Sequence, residues 1–313
     1  MADDATRGRF AGVIPPVLTP FRADLSPACA RFTAHARWLL DEGATGLAPF
    51  GTTGEANSLS VDERLVLLDA LLGAGIDPAI VMPGTGCCAL TDSVRLTAHA
   101  MKLGAGGVLM LPPFYYKGVS DDGLFKNFAE VIERVGDQRL RVYLYHIPPV
   151  SNVPITLSLI ERLLKAYPGI VAGVKDSSGD WNNTKAMLDA FAGGGFDVFA
   201  GSETFLLANM RKGGAGCISA TANVNPGAIA RLFREWQGAD ADAQQARLDE
   251  IRGIVQRYPM IPALKATIAR YGGDAAWVTV RPPLVALTPE QRAALAADLG
   301  RAAFTMPGLG LED

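Results

Sequence analysis

The stretch Ile170-Val-Ala-Gly-Val-Lys-Asp-Ser177 decides how the rest of the chain is interpreted. Small or apolar residues lead directly to Lys175, and a polar loop then precedes a helical pattern that starts near Asp180. This order is typical of a buried parallel strand that ends in a loop and a helix. A lysine at the end of such a strand is shielded from water, which disfavours its charged form and makes the neutral amine available as a nucleophile. The alternative is that Lys175 reaches solvent at the rim or pairs with an acid such as Asp176.

Short apolar runs like this one recur along the chain, and each is followed by a segment of helical period. The runs are 13–18, 47–50, 79–82, 107–111, 142–145, 170–175, 197–200 and 216–219. Strands that alternate with helices form a parallel sheet, and eight such units are the number in a (β/α)8 TIM barrel. A doubly wound open sheet is the alternative, but the turn Leu18-Thr-Pro-Phe21 lacks the glycines of a dinucleotide-binding turn. We therefore predict an α/β fold, a (β/α)8 TIM barrel with an appended C-terminal helical segment.

The pattern changes after Trp236. The segments 239–258, 262–271 and 289–305 are helical in period, and no apolar run accompanies them. We predict that residues 1–237 form the barrel as the catalytic domain and that residues 238–313 form a helical extension packed on it.

Composition excludes several classes of protein. The chain has 313 residues, is 49% hydrophobic and carries a formal net charge of −3, so it can bury a large core and has no basic block for nucleic acid or an anionic membrane. Its first ten residues are polar and charged, unlike a signal peptide or a transmembrane helix. Four cysteines without a C-x-x-C pair, and three histidines, supply a metal site poorly and indicate reduced thiols. We predict a cytoplasmic protein with a small-molecule partner and no metal.

Hydroxyl-bearing side chains follow several of the predicted strands. Thr52 and Thr53 lie in the loop Gly51-Thr-Thr-Gly-Glu55, and tyrosines follow at positions 115, 116 and 145. Such hydroxyls both donate and accept hydrogen bonds and can relay a proton, and a glycine-flanked loop can present N–H groups to an anion. Together with Lys175 they favour imine chemistry on a 2-oxo acid. The alternatives are turn and capping roles for the threonines and packing or interface roles for the tyrosines at 115 and 116.

These motifs resemble those of the dihydrodipicolinate synthase and N-acetylneuraminate lyase family of class I, Schiff-base-forming aldolases. The resemblance extends from about Gly12 to Trp236 and is carried by Gly51–Glu55, Pro113–Tyr116, Tyr145–Pro148, Gly173–Gly179 and Gly216–Val224. It implies that Lys175 forms an imine with pyruvate or a related 2-oxo acid, and that Thr52 and Thr53 hold the carboxylate. It also implies a proton relay of Tyr145, Thr53 and Tyr115.

The same resemblance implies an assembly and the absence of a cofactor. Tyr115, or in its place Tyr116, would reach the site from a neighbouring subunit of a homotetramer arranged as a dimer of dimers. Neither a metal nor an organic cofactor is implied, because the covalent imine on Lys175 is itself the electron sink.

Two departures from the family pattern bear on the substrate. The synthases have an arginine for the carboxylate of the aldehyde substrate where this chain has Val150, and valine cannot make that contact. Glu203 follows the seventh predicted strand, and two interpretations stay open: it binds hydroxyls of a polyol tail, or it is solvated. The expected substrate-binding residues are Thr52, Thr53, Val150, Gly201, Ser202, Glu203 and Ile218.

We therefore predict a lyase or aldolase that forms or cleaves a C–C bond, or dehydrates a 2-oxo sugar acid, through Lys175. Two alternatives remain. One is 4-hydroxy-tetrahydrodipicolinate synthase, which joins pyruvate to aspartate semialdehyde in lysine biosynthesis, and the other is a non-catalytic 2-oxo-acid-binding protein.

Overall fold

A parallel β-sheet forms the centre of the protein in the computed structural model, which describes residues 9–310. Its strands are β1 (Gly12–Val13), β2 (Val108–Met110), β3 (Val142–His146), β4 (Val171–Asp176), β5 (Asp197–Ala200) and β6 (Gly216–Cys217). They are hydrogen-bonded in the order β1-β6-β5-β4-β3-β2, and every pairing is parallel. Every residue of β3 and β4 is buried, as expected for parallel strands that are covered on both faces.

Two extended segments, residues 45–48 and 81–84, connect the two edge strands of the sheet. The hydrogen bonds that make the connection run from Thr45 N to Val13 O (2.9 Å), from Met82 N to Leu47 O (2.8 Å) and from Leu109 N to Pro83 O (3.0 Å). The sheet therefore curls until its edges are joined. The second and third predicted strands appear only as isolated bridges, and the prolines at 49 and 83 give the reason, because proline has no N–H to donate to a ladder. A parallel sheet alternating with helices, as predicted, is confirmed.

Twelve α-helices are present within residues 9–310, and most of them follow a strand of the sheet. They are α1 (Cys29–Asp41), α2 (Val61–Gly73), α3 (Leu90–Lys102), α4 (Asp121–Val135), α5 (Pro148–Ser151), α6 (Leu157–Ala166), α7 (Trp181–Phe191), α8 (Leu206–Arg211), α9 (Pro226–Glu235), α10 (Ala241–Val255), α11 (Met260–Gly272) and α12 (Pro289–Arg301). Helix α2 begins at a capping box, in which Ser60 and Glu63 each bond the other's backbone N–H. Helix α4 ends at Gly136, whose φ of 62° is the left-handed conformation that glycine adopts without strain.

An apolar layer fills the interior of the sheet near the N-terminal ends of the strands. Tyr143 and Phe199 meet there edge to face, with ring centroids 5.9 Å apart. The Tyr143 hydroxyl donates to Asp197 (3.2 Å), which also pairs with Arg9. Burial raises the pKa of Asp197, although the guanidinium of Arg9 opposes this. Packed side chains therefore fill the sheet interior at the N-terminal ends of the strands. A cavity can open only at their carboxyl ends.

The last three helices contact one another, α10 with α12 and α11 with α12. They also contact the helices that alternate with the strands, through α10 and α9. The division at residue 237 stays a prediction. Within residues 9–310, none of the helices combines the length and the apolar character needed to cross a membrane.

Candidate active site

A cavity of about 410 Å³ opens at the carboxyl ends of the strands. Seven of the predicted catalytic and substrate-binding residues line it: Thr52, Thr53, Tyr145, Val150, Lys175, Gly201 and Ser202. They come from separate parts of the chain, and the parallel sheet brings them together because all of its strands end at the same edge.

Lys175 is the fifth residue of β4 and is only 3% exposed. Tyr145 is its partner in the register of β3 and β4, and the Lys175 Nζ lies 4.2 Å from the centroid of the Tyr145 ring. The amine forms no ion pair with any acidic side chain among residues 9–310. Lys175 therefore does not snorkel to the rim, which was the first alternative for it.

Pairing of Lys175 with Asp176, the second alternative, is also wrong. The Asp176 carboxylate accepts hydrogen bonds from Thr184 Oγ1 (2.6 Å) and from the Ser178 backbone N–H (3.0 Å). Successive side chains of a strand point to opposite faces, so Lys175 faces the interior while Asp176 faces helix α7. The amine is left facing the cavity, where it can act as a nucleophile.

Tyr145 is 4% exposed, and its hydroxyl donates to Thr52 Oγ1 at 3.2 Å. Thr53 also lines the cavity, but the hydrogen bond found for the tyrosine is with Thr52. A relay that passes through Thr53 stays a prediction. Tyr115 is 75% exposed and packs edge to face on Tyr116, with centroids 5.4 Å apart. Its predicted approach to a neighbouring subunit also stays a prediction.

The loop that carries Thr52 and Thr53 is fixed by a buried ion pair that the sequence did not indicate. Glu55 has a left-handed backbone (φ 55°), and its carboxylate pairs with Lys265 of α11, both side chains being fully buried. The backbone N–H of Arg281 donates to the same carboxylate at 3.1 Å. Burial lowers the pKa of Lys265 to about 8, against the opposing charge of Glu55. The glycine-flanked loop is therefore held in place by Lys265 of α11 and by the backbone at Arg281.

The predicted substrate-binding residues near the far side of the cavity divide into two groups. Val150, 59% exposed, lines the cavity with Gly201 and Ser202. Ile218 instead lies in the apolar interior with Tyr145, fully buried. Its predicted contact with substrate stays a prediction.

Glu203 is neither solvated nor at the cavity surface. It is 1% exposed, it accepts hydrogen bonds from Ser219 and Thr221, and it pairs with Arg252 Nη1 at 3.2 Å. The interpretation of Glu203 as a solvated carboxylate is therefore wrong. Its carboxylate is occupied behind the cavity wall, and the side chain that lines the cavity from this network is Arg252.

Sequence reasoning missed Arg252 entirely. It lies on α10, 49 residues beyond Glu203, in a helical segment that no strand places at the mouth of the sheet. An arginine in an amphipathic helix is ordinarily a surface residue, so the sequence carried no signal for it.

Two histidines are buried in the interior, His35 on α1 and His146 at the end of β3. His146 follows Tyr145, and its Nδ1 accepts the Ile155 backbone N–H at 2.9 Å; burial lowers its pKa, with Asp176 opposing. His35 lies 3.2 Å from Asn223 Oδ1, and burial lowers its pKa to about 4. Both side chains are therefore neutral at pH 7.

Asn223 links the first and last segments of the curled sheet. Its Oδ1 accepts the Leu18 backbone N–H (3.0 Å), and its Nδ2 donates to the Pro16 carbonyl (3.0 Å). Within residues 9–310, no three histidine, cysteine or acidic side chains are grouped so that they could hold a metal ion.

Comparison with known proteins identifies the family. A model of the dihydrodipicolinate synthetase family matches residues 9–302. The chain belongs to this family. It is 37% identical to an uncharacterised DapA-like lyase of Chloroflexus aurantiacus, over 91% of this chain and 95% of that protein. It is 35% identical to the 4-hydroxy-tetrahydrodipicolinate synthase of Rhizobium meliloti, over 94% of this chain and 98% of that protein.

A solved structure of the family has the same fold. YagE of E. coli K12, a prophage protein crystallised in complex with pyruvate, superposes with a TM-score of 0.87 at 28% identity, over 94% of this chain and 99% of that one. Members of the dihydrodipicolinate synthetase family are lyases and aldolases of small molecules, and this protein is therefore an enzyme of that class.

Proposed function

We propose that this enzyme forms an imine between Lys175 and pyruvate or a related 2-oxo acid, and that it forms or cleaves a C–C bond or removes water through that imine. The observation that carries the proposal is the buried Lys175 amine, which faces the cavity 4.2 Å from the ring of Tyr145 and is engaged by no carboxylate among residues 9–310. A relative with the same fold was crystallised with pyruvate, which supports the choice of substrate class.

The first step is attack of the neutral amine on the C2 carbonyl. The carbonyl oxygen leaves as water, and the imine that remains draws electrons from the C3 position. In the cleavage direction, the C4 hydroxyl loses its proton as the C3–C4 bond breaks, which releases an aldehyde and leaves an enamine that is protonated at C3 and hydrolysed to the 2-oxo acid. In the synthetic direction, loss of a C3 proton gives the enamine, its C3 bonds to the carbonyl carbon of an aldehyde whose oxygen takes up a proton, and hydrolysis of the imine releases the product. In a dehydration, the same enamine expels the C4 hydroxyl group, which leaves as water after protonation. No external oxidant or reductant takes part, and we propose that the enzyme requires no metal and no organic cofactor.

The hydroxyl groups beside the amine fit the remaining roles. Tyr145 lies beside Lys175 and is hydrogen-bonded to Thr52, so we assign to it the transfer of the proton at the imine. Thr52 and Thr53 lie in the glycine-flanked loop and would hold the carboxylate of the 2-oxo acid. Since the Glu55–Lys265 ion pair fixes this loop, the carboxylate site is formed before substrate arrives.

The second candidate is 4-hydroxy-tetrahydrodipicolinate synthase itself, which the relatives of that name favour. Val150 argues against it, because a half-exposed valine offers no charge to the carboxylate of aspartate semialdehyde. A coupled assay with pyruvate and aspartate semialdehyde, run beside a panel of other aldehydes, separates the two. Turnover of the semialdehyde well above that of every other aldehyde would establish the synthase.

We also propose the finer features of the assembly. The curled sheet with its helices is a (β/α)8 barrel with a C-terminal helical extension, in a cytoplasmic homotetramer to which Tyr115 contributes across an interface. The exposed Tyr115–Tyr116 pair supports this, because large exposed aromatic side chains are typical of contact surfaces.

Trapping with borohydride tests the imine. Incubation with pyruvate and borohydride should leave a reduced pyruvyl adduct on the peptide that contains Lys175, detected by mass spectrometry. Lys175→Arg should abolish the adduct, and Lys185→Arg, at an exposed lysine paired with Asp189, should retain it. An unmodified Lys175 peptide in the wild-type protein would refute the proposal. If instead the protein binds 2-oxo acids without catalysis, Lys175→Arg keeps the wild-type affinity for pyruvate.

A further inference from the structure

Arg252 of α10 lines the cavity with part of its guanidinium group unused. Its Nη1 lies 3.2 Å from Glu203 Oε2, 3.2 Å from Ser219 Oγ and 3.2 Å from Thr221 Oγ1. Its Nε is buried and has no hydrogen-bond partner, and none of the hydrogen bonds formed among residues 9–310 engages Nη2. The hydrogen-bonding capacity of Nη1 is therefore used, and the edge formed by Nε and Nη2 has no hydrogen-bond partner among residues 9–310.

The free edge has the geometry of a carboxylate-binding site. The N–H groups of Nε and Nη2 lie side by side in the plane of the guanidinium, and this pair can donate two parallel hydrogen bonds to one carboxylate. A buried donor without an acceptor is unfavourable, and nearly all such groups in proteins have a partner. The side chain is nine-tenths buried, so an acceptor for Nε is best supplied by a ligand in the cavity.

Lys175, Asp176 and Arg252 are the charged residues that line the cavity, and of these Arg252 is the cation that remains to bind an anion. Glu203 balances its charge from behind the wall, and Lys175 is consumed in the imine. The Asp176 carboxylate is occupied by Thr184 and Ser178. Gln256, just beyond the end of α10, also lines the cavity and adds an amide donor next to Arg252.

We propose that Arg252 binds a carboxylate at the far end of the substrate, so that the substrate is a 2-oxo acid that carries a second carboxylate. The inference rests on the proposed imine at Lys175. Arg252, from a different part of the chain, would supply the positive charge that the synthases place at the position of Val150. A cavity of about 410 Å³ is within the range of sites that bind ligands much larger than pyruvate.

A series of 2-oxo acids, matched in chain length with and without a second carboxylate, tests the proposal. The concentration that half-saturates borohydride trapping on Lys175 is measured for 2-oxoadipate and 2-oxoglutarate, and for 2-oxohexanoate and 2-oxopentanoate, which have the same chain lengths without the second carboxylate. The hydroxy acid 6-hydroxy-2-oxohexanoate distinguishes a hydroxyl-binding site from a carboxylate-binding one. The quantity compared is the ratio between chain-matched acids, so each variant serves as its own reference.

Three variants of the full chain isolate Arg252. Arg252→Lys keeps a positive charge beside Glu203 but removes the two parallel N–H donors of Nε and Nη2. The double variant Arg252→Met with Glu203→Gln removes both charges, so that no buried carboxylate is left unpaired. Arg257→Met is the control, because Arg257 is exposed and pairs with Asp298 at 2.8 Å.

At least one dicarboxylate should be favoured over its chain-matched monocarboxylate by roughly 10- to 100-fold in the wild type and the Arg257 variant, as expected for charge-assisted hydrogen bonds. The ratio should fall in Arg252→Lys and approach unity in the double variant. A wild-type ratio near unity, a ratio that both Arg252 variants retain, or equal preference for the hydroxy acid would overturn the proposal. Trapping of pyruvate without a dicarboxylate preference overturns this inference alone, and trapping of no acid overturns the proposed imine as well.

Discussion

Acid should lower the free energy of unfolding of this protein in part through His35. The substitution His35→Gln should remove the part of that decrease that is due to His35. His35 is fully buried, with its ring 5.0 Å from that of Trp277 and its Nε2 3.2 Å from Asn223 Oδ1. Because Asn223 joins the first and last segments of the curled sheet, a charge on His35 would be placed where the sheet closes. Burial lowers the pKa of His35 from 6.5 to about 4.

The sign and the size of this pH effect on the free energy of unfolding follow from the linkage between proton binding and folding. The unfolded chain binds a proton at His35 below pH 6.5, whereas the folded protein does so only near pH 4, so the unfolded state gains protons first. The contribution to stability is fully present above pH 6.5 and is lost as the pH falls toward 4. For these pKa values, the free energy of unfolding falls by about 2.5 kcal/mol between pH 7 and pH 4.5 through this one side chain.

Urea unfolding at the two pH values, for the wild type and for His35→Gln, measures this quantity. Glutamine is neutral throughout and can still donate to Asn223, so the variant should lose roughly 2 kcal/mol less than the wild type on acidification. All other titrating groups are common to both proteins and cancel in the comparison. Equal losses in the two proteins, within about 0.5 kcal/mol, would refute the reasoning that His35 is neutral and desolvated in the folded state.

Two further predictions concern Tyr145 and the ion pair that fixes the loop of Thr52 and Thr53. Tyr145→Phe should slow turnover by roughly 10²–10⁴ while trapping of pyruvate persists, because the hydroxyl moves a proton and does not form the imine. Tyr167→Phe is the control, because Tyr167 is a partly buried tyrosine that donates to Glu133 and does not line the cavity. Unchanged turnover in Tyr145→Phe would remove Tyr145 from the mechanism. Glu55→Gln should destabilise the protein by about 3–5 kcal/mol, since it leaves the buried Lys265 unpaired, and adding Lys265→Met should restore much of that loss. Equal urea midpoints for the single variant and the wild type would contradict this.

The placement of Lys175 beside Tyr145 was predictable because it depends on local pattern and on a general rule of parallel sheets. Each apolar run ends at the same edge, so Lys175 and Tyr145 had to lie near one another once the runs were identified as strands. Their pairing in register, at the ends of β4 and β3, follows from that order.

The missed features depend on long-range contacts between charged side chains. Lys265 and Arg252 occur in helical segments whose sequence gives no position relative to the sheet, and a buried lysine looks in sequence like a solvated one. The short second and third strands were overestimated because the apolar pattern of residues 47–50 outweighed Pro49, which ends the hydrogen-bonded ladder early.

The pairing of Glu55 with Lys265 has a consequence for how the enzyme matures during synthesis. The loop Gly51–Glu55 is translated early, and the lysine that pairs with Glu55 is made only when α11 is translated. A prematurely terminated chain that lacks α11 would therefore carry a buried glutamate with no counter-ion, which disfavours the native position of the loop. The part of the cavity wall that this loop forms therefore reaches its native position only after α11 has been made.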